Sequence, residues 1–284
     1  MPESIEDIIL QQDKRGVAEL RPHLAPDYCT LAAQYIQDHP GDVAITTGFY
    51  ILAAASPETD GPPGAIAIGR ALEALGRRVT YISDTYTTPV LRGLLGADAR
   101  IEEFPIGDVE ASRRWASDML ARIKPSLLIS IERCGRTVGD TYLNMRAADI
   151  TPFTARLDYL FDMGIPSVGI GDGGNEIGMG NLADVIPSVP SLPPDPAIAK
   201  VDRLVIASVS NWGGYGLVAA LSRLTGRNLL PSLEQETAII HRTVELGAVD
   251  GTNGQAVPTV DDFTTEENGA VLQQLHEAVG ERGG

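Results

Sequence analysis

A glycine-rich loop with acidic and amide side chains is the part of this sequence best suited to chemistry. The segment GIGDGGNEIGMGN, residues 169–181, holds six glycines, one aspartate, one glutamate and two asparagines. Glycine lets the backbone adopt positive φ and approach a ligand closely. Bare backbone amides and carboxylates therefore lie side by side here, which suits a bound cation or a substrate that carries both ammonium and carboxylate groups.

The same loop formally matches the dinucleotide fingerprint, because G-x-G-x-x-G at residues 169–174 follows an apolar run. Three features oppose that interpretation. Asp172 would repel a pyrophosphate inside the turn, and Asn175 and Glu176 stand where the phosphate-facing helix should begin. No strand that ends in an acidic residue follows about 20 positions later to hold a ribose. The sequence also lacks a P-loop, so we expect no nucleotide cofactor.

Charged side chains also follow a neighbouring apolar run. SLLISI is continued directly by Glu132 and Arg133, with Arg136 close behind and Arg146 further along the chain. Such groups are costly to bury unless they are paired or used. Because a guanidinium binds a carboxylate in a bidentate manner, we predict that the three arginines bind the carboxylates of a substrate. Surface ion pairing with Glu132 and Asp140 is the alternative.

Three carboxylates are the candidates for catalysis, namely Asp172, Glu176 and Glu132. Each suits a general base or a cation ligand. Oxygen-only ligands favour magnesium or manganese over zinc, so Asp172 and Glu176 are the expected ligands if a cation binds. The sequence alone does not decide whether one does.

The other candidates for substrate binding come from loops that follow predicted strands: Gly173, Gly174, Asn175, Asn211 and Asp84. Asp84 could form a carboxylate pair with Asp172, and Asn211 could bind an amide or a carboxylate. Each of these two serves equally well as a helix N-cap.

Short apolar runs and helical patterns alternate along the chain and must position these groups. The runs typical of buried strands are 43–47, 79–83, 126–131, 166–170 and 204–209, with a weaker one at 99–104. The helical patterns cover 63–76, 87–96, 111–123, 152–164, 215–226, 232–247 and 266–279. In the helix at 152–164, Thr151 is the expected N-cap, and Leu157, Leu160 and Phe161 line one face.

This alternation predicts an α/β fold, a doubly wound and mostly parallel sheet flanked by helices in a Rossmann-like three-layer sandwich. We expect a single domain over 1–284, with a helical lead-in at 1–40, the main sheet within 41–230 and a helical tail at 231–284. In such a sheet, ligands bind beyond the carboxyl ends of the strands, where the candidate residues are found.

Composition narrows the class of partner. The 284 residues include 38 acidic and 22 basic ones, a formal net charge of −16, which disfavours nucleic acid and anionic membranes. No apolar run is long enough to span a bilayer, and the acidic start MPESIEDIILQQ is unlike a signal peptide. With two cysteines and no metal-type spacing, the expected compartment is the cytoplasm. Whether the chain forms a homo-oligomer stays open.

Several segments together resemble the D-glutamate cyclase family: IERCGRTVGDTYLNMRAADIT, GIGDGGNEIGMGN, SNWGGYGL, ETDGPPGA and GAVDG. The resemblance runs from about residue 40 to residue 260. It is to the C-terminal domain of the two-domain cyclases, which also occurs alone in prokaryotes. It implies an α/β fold and a lyase that converts D-glutamate to 5-oxo-D-proline with loss of water.

That reaction requires groups of the types found here. The α-amine must lose a proton before it attacks the γ-carboxyl carbon, the attacked carboxylate must be neutralised, and the leaving oxygen needs a proton. The expected partner is therefore a small acidic amino acid. Two other functions fit the same residues: a metal-dependent hydrolase or lactamase acting on a related derivative, and a non-catalytic binder of small acidic metabolites.

Overall fold

A six-stranded parallel sheet forms the centre of the molecule in the computed structural model, which describes residues 4–280. The strands are β1 (Val43–Thr47), β4 (Val79–Ser83), β5 (Arg100–Glu103), β6 (Leu127–Ile131), β7 (Ser167–Gly171) and β8 (Arg203–Ile206), with a small antiparallel hairpin of β2 (Tyr50–Ile51) and β3 (Ser56–Pro57). The order β5-β4-β1-β6-β7-β8 places β1 centrally and winds the chain outward in both directions. The doubly wound α/β prediction is confirmed.

Burial explains which runs became which strands. β1, β4, β6 and β7 are buried at every position, as continuously apolar strands of a covered parallel sheet must be. β5 came from the weaker run and forms an edge of the sheet, where Arg100 and Glu103 reach solvent. Charged side chains on an edge strand also discourage pairing with other chains.

Helices cover both faces of the sheet. They are α1 (Ile5–Ile9), α2 (Tyr28–Asp38), α3 (Pro62–Ala74), α4 (Thr88–Leu95), α5 (Val109–Ile123), α6 (Ser210–Thr225), α7 (Leu233–Glu245) and α8 (Thr265–Gly280). α6 is buried from Ser210 to Ser222 and packs against α2, α3 and α8. It therefore forms the middle of one helical layer, and its first turn lies at the carboxyl edge of the sheet.

The prediction of one helix over 152–164 is wrong. The segment forms two 3₁₀ turns, Thr151–Phe153 and Leu157–Met163, separated by extended backbone. The carbonyl of Ala155 in the gap accepts hydrogen bonds from the buried Arg133 side chain and from the N–H of Leu157, so it takes part in a tight turn and a long-range contact instead of a regular helix. Thr151 does not cap a helix but accepts a bond from the backbone of Tyr142.

The helical lead-in is also divided. α1 and α2 are joined by a 3₁₀ turn over Val17–His23, and the loop before this turn is fixed by Asp13. The Asp13 carboxylate accepts the backbone N–H groups of Arg15, Gly16 and Ala18. Within residues 4–280, none of the helices combines the length and apolar character needed to cross a membrane.

A buried acid lies among α3, α6 and α7, away from the carboxyl edge of the sheet. Glu236 is 1% exposed, and neither of its carboxylate oxygens has a hydrogen-bond partner among residues 4–280. It lines a cavity of about 270 Å³ together with Tyr215 of α6. Burial raises the pKa of Glu236 from 4.5 to about 8.

This shift makes stability depend on pH in a defined direction. Below pH 4.5 Glu236 is protonated in both the folded and the unfolded state, and between that value and about 8 it is protonated only in the folded state. The free energy of unfolding therefore falls as pH rises through this range, by up to about 1.4 kcal/mol per pH unit. Glu236→Gln keeps the shape and removes the titration. Melting curves from pH 5 to 9 should decline less steeply for the variant, and identical slopes would contradict the assignment.

Candidate functional site

A cavity of about 360 Å³ opens at the carboxyl edge of the sheet. Its polar walls include Arg15, Glu58, Glu132, Asn144, Arg146, Asp172, Asn175, Glu176, Thr252 and Asn253. The apolar wall is Phe49 to Ala53, around the β2–β3 hairpin. All three predicted catalytic carboxylates, together with Asn175 and Arg146, therefore line one space.

The carboxylates arrive from several strand ends. Glu132 directly follows β6 and Asp172 directly follows β7, while Glu58 follows the hairpin strand β3. Asp60 and Asp261 lie next to them on loops. All five are buried, none more than 7% exposed. A buried acidic cluster thus lies beside the cavity, with Glu58, Glu132 and Asp172 in the cavity wall.

The glycine loop binds the side chain of its own glutamate. Glu176 Oε1 accepts the N–H groups of Gly173 at 2.7 Å and Asp172 at 3.3 Å, and Oε2 accepts that of Gly174 at 2.8 Å. The amides that we expected to face a ligand therefore hold an internal carboxylate, and neither Gly173 nor Gly174 is part of the cavity wall. Asn175 does line the cavity and donates through Nδ2 to the carbonyl of Leu143.

Two of these glycines are needed for separate reasons. A Cβ on Gly173 would meet Met145 Sδ at 2.7 Å and Glu176 Oε1 at 2.9 Å. Gly174 has φ +97°, a backbone conformation that other residues rarely adopt. Close packing of the loop around Glu176 thus accounts for Gly173, and the backbone conformation accounts for Gly174.

The first turn of α6 organises the acidic cluster. The Ser210 N–H donates to Asp60 Oδ2 at 2.9 Å and to Asp172 Oδ2 at 3.1 Å. The Ser210 hydroxyl donates to Glu132 Oε2 at 2.5 Å. One serine therefore contacts three of the carboxylates, at a helix N-terminus that favours negative charge.

Asn211 does not face the cavity. Its Oδ1 accepts the N–H groups of Gly61 at 3.0 Å and Gly64 at 2.8 Å, and its Nδ2 donates to the Thr59 carbonyl. Asn211 therefore satisfies the first amides of α3. The predicted ligand-binding role is replaced by a capping role, although for the neighbouring helix rather than its own.

Backbone strain coincides with the acidic cluster. Glu132 has φ +44° and Asp261 has φ +53°, and both lie in the left-handed region. Such conformations cost of order 1–3 kcal/mol each for a residue other than glycine and tend to occur at functional sites. The fold holds these two carboxylates in place at an energetic cost.

Burial and mutual repulsion shift the ionisation of the acids. Burial raises the pKa of Glu132 well above its usual range, and the charges of Asp172 and Glu176 raise it further. Burial also raises the pKa of Asp172, against the lowering effect of Arg15. The pKa of Asp60 is raised to about 7, by burial and then by Asp261. The protein thus packs more acidic groups together here than its own cations can keep ionised.

Arg15 is a cation of this site that the sequence analysis missed. Its guanidinium bridges two acids, with Nη1 2.7 Å from Asp172 Oδ2 and Nη2 2.7 Å from Asp261 Oδ1. It comes from the lead-in segment, far from the strand ends that we searched. Of the other acids missed, Glu58 and Asp60 lie in ETDGPPGA, a segment noted for its resemblance, and Asp261 lies further along the chain than GAVDG.

The predicted carboxylate clamp of Arg133 and Arg136 lies outside the cavity wall. Arg133 is 1% exposed; its Nη1 lies 2.5 Å from Asp84 Oδ2 and also donates to the Gly48 carbonyl. Arg136 pairs with Asp158 and Asp162. The alternative of surface ion pairing with Glu132 and Asp140 does not describe them either, because Arg133 is buried and both arginines pair with other acids. Arg146 is exposed and does line the cavity.

Asp84 likewise has a structural partner instead of Asp172. Besides its ion pair with Arg133, it accepts the backbone N–H groups of Tyr86 and Thr87 through Oδ1, in the turn that precedes α4. The N-cap of α4 is Thr87, so Asp84 closes the turn before the helix and matches neither the carboxylate pair nor the capping interpretation.

Two sets of three carboxylates have ligand atoms within 4.8 Å of one another, the spacing that a metal ion needs. One set is Asp60, Asp172 and Asp261, and the other is Glu132, Asp172 and Glu176. Asp172 belongs to both. The predicted pair of Asp172 and Glu176 is therefore part of a larger array of oxygen ligands.

Comparison with known proteins places this site in a family. The model of the family described as D-glutamate cyclase-like, C-terminal, matches residues 5–276. The chain belongs to this family. The human mitochondrial D-glutamate cyclase is 36% identical over 212 residues, which cover 67% of this chain and 34% of that protein. The chain thus spans about a third of the length of the curated relative that it matches.

Structural similarity adds nothing to this assignment. A solved exopolyphosphatase-related protein from Bacteroides fragilis aligns over 89% of this chain and 57% of its own, at 8% identity and a TM-score of 0.44. A likeness this weak carries no conclusion about function.

The position of Arg133 gives a prediction about stability. A lysine keeps the charge but cannot reach Asp84 and the carbonyls of Gly48 and Ala155 together, so Arg133→Lys should cost about 1–3 kcal/mol of unfolding free energy, measured by urea denaturation. Arg146→Lys, exposed at the cavity, is the matched control and should cost less than about 0.5 kcal/mol. Equal stabilities of the two variants would contradict the structural assignment of Arg133.

Proposed function

We propose that this protein is a lyase of the D-glutamate cyclase type, which closes D-glutamate to 5-oxo-D-proline and releases water. Family membership supports the reaction class. The observation that carries the proposal is the cavity itself, which combines carboxylates with the two arginines Arg15 and Arg146. A substrate with one ammonium and two carboxylate groups complements that mixture of charges.

The reaction balances without a further reactant. The ammonium nitrogen bonds to the γ-carboxyl carbon, one C–O bond breaks, and two protons of the nitrogen leave with the departing oxygen as water. A single base can take the first proton from the ammonium group and return it to the leaving oxygen. The protein must therefore bring a base near the amine and cations near the carboxylate that is attacked.

Glu132 is the proposed base. It lines the cavity, and its Oε2 is held at 2.5 Å by the Ser210 hydroxyl. The left-handed backbone at Glu132 fixes where the side chain starts, so its carboxylate is oriented before a substrate arrives. The Glu176 carboxylate is held by loop amides and contributes negative charge to the site rather than a mobile proton acceptor.

Arg146 and Arg15 are the proposed contacts for the substrate carboxylates. Arg146 is exposed at the cavity, whereas Arg15 already bridges two aspartates. The apolar wall around the hairpin would exclude water, since Tyr50 stacks on Phe153 at 4.7 Å between ring centroids. With a net charge of −16, the protein needs such local cations to bind an acidic metabolite.

A direct test follows D-glutamate and L-glutamate by NMR in the presence of the purified protein. The wild type should form 5-oxo-D-proline from the D-isomer. Glu132→Gln should lower kcat by about 10²-fold or more, and Arg146→Lys should raise KM several-fold with a smaller change in kcat. Glu236→Gln, buried in the other cavity, is the control and should retain wild-type kinetics.

Two further assays of the same purified protein distinguish the other functions. Binding of D-glutamate in a thermal-shift assay without any product would indicate a non-catalytic binder. Ring opening of a lactam derivative without ring closure of D-glutamate would indicate a hydrolase. Full activity of Glu132→Gln would overturn the assignment of the base.

A further inference from the structure

A group of buried acids beside the cavity has more ligand capacity than the protein uses. We propose that Asp60, Asp172 and Asp261, with Glu58 beside them, form a binding site for one divalent cation of the Mg²⁺ or Mn²⁺ type. This proposal concerns a binding site and does not depend on the reaction proposed above.

The geometry of the three aspartates fits a single ion. One carboxylate oxygen from each lies within 4.8 Å of the others. Asp60 and Asp172 are tied together because both accept the N–H of Ser210. Two of the three ligands are thus fixed relative to each other by the first turn of α6, which reduces the ordering needed to bind an ion.

Two buried oxygens at this place have no partner. Asp261 Oδ2 and Glu58 Oε1 are inaccessible to solvent, and neither has a hydrogen-bond partner among residues 4–280. Asp261 is 4% exposed and Glu58 is 5% exposed. Both carboxylates border Gly251, where an added Cβ would lie 2.0 Å from Glu58 Oε2 and 3.5 Å from Asp261 Oδ1. A buried carboxylate oxygen without a partner is costly, and a cation supplies the missing interaction.

The balance of charge points the same way. Four buried acids, Asp60, Asp172, Asp261 and Glu58, surround this place, and Arg15 bridges two of them. One guanidinium cannot neutralise four carboxylates. A divalent ion would bring the local charge close to neutral.

The second set of acids is less suitable. Each set contains a carboxylate whose two oxygens already accept backbone N–H groups, Glu176 in this set and Asp60 in the first. In this set Glu132 also accepts the hydroxyl of Ser210. The unpartnered oxygens belong to Asp261 and Glu58 instead. Because every proposed ligand is a carboxylate, the site favours hard cations over zinc.

Arg15 allows a test in which two substitutions are expected to change cation binding in opposite directions. Its guanidinium competes with the ion for Asp172 and Asp261, so its removal should strengthen cation binding. Removing the charge of Asp261 should weaken binding. Opposite effects from two residues that contact each other distinguish a cation site from a general loss of structure.

The experiment titrates EDTA-treated protein with MnCl₂ alone and measures free Mn²⁺ by EPR. The wild type should bind about one ion per chain. Asp261→Asn should weaken binding at least tenfold, and asparagine tolerates the positive φ of this position. Arg15→Gln should tighten binding several-fold, and the control Glu236→Gln should bind as the wild type does.

Failure of the proposal would be clear in the same titration. No binding by the wild type at millimolar Mn²⁺, or unchanged binding by Asp261→Asn, would overturn it. If Asp261→Asn does not fold by circular dichroism, Glu58→Gln replaces it, with the same expected direction. The titration contains no substrate, so its failure would not contradict the proposed reaction. Conversely, a wild type that binds Mn²⁺ but does not turn over D-glutamate would contradict only the reaction.

Discussion

Two helices exchange caps at the carboxyl edge of the sheet, and the candidate site depends on this exchange. Asp60, just before α3, accepts the first N–H groups of α6, while Asn211 in the first turn of α6 accepts those of Gly61 and Gly64 at the start of α3. Each helix thereby satisfies amides that the other would leave unpaired. The exchange fixes Ser210, which in turn contacts Asp172 and Glu132.

This arrangement brings together more acidic groups than the nearby cations can neutralise. The N-terminus of α6 stabilises Asp60 and Asp172, and the amides of the glycine loop stabilise Glu176. Glu58 and Asp261, however, keep oxygens with no partner among the described residues. Strained backbone at Glu132 and Asp261 adds to the cost. A protein gains by keeping such a cluster only if a ligand completes it, and an ammonium group or a divalent cation would do so.

The sheet was predictable from the sequence because continuous apolar runs directly report strands that are buried on both faces. The positions of Glu132 and Asp172 were predictable as well, because parallel strands end at the same edge of a sheet. The partners of the charged side chains could not be predicted in this way. Arg133 and Asp84 come from different strand ends and pair across the sheet edge, and Arg15 reaches the site from the lead-in, so long-range packing decides all three. The segment after Thr151 departs from a helix at Ala155, whose carbonyl accepts the Arg133 side chain as well as the Leu157 N–H, a long-range contact that the sequence pattern does not show.

The most direct test of this account is diffraction from crystals soaked with MnCl₂ and D-glutamate, recorded at the manganese absorption edge. The account predicts one anomalous peak within coordination distance of Asp172 and Asp261, with D-glutamate bound between these aspartates and Arg146. An anomalous map with no peak at these aspartates, or D-glutamate bound outside the cavity, would contradict it.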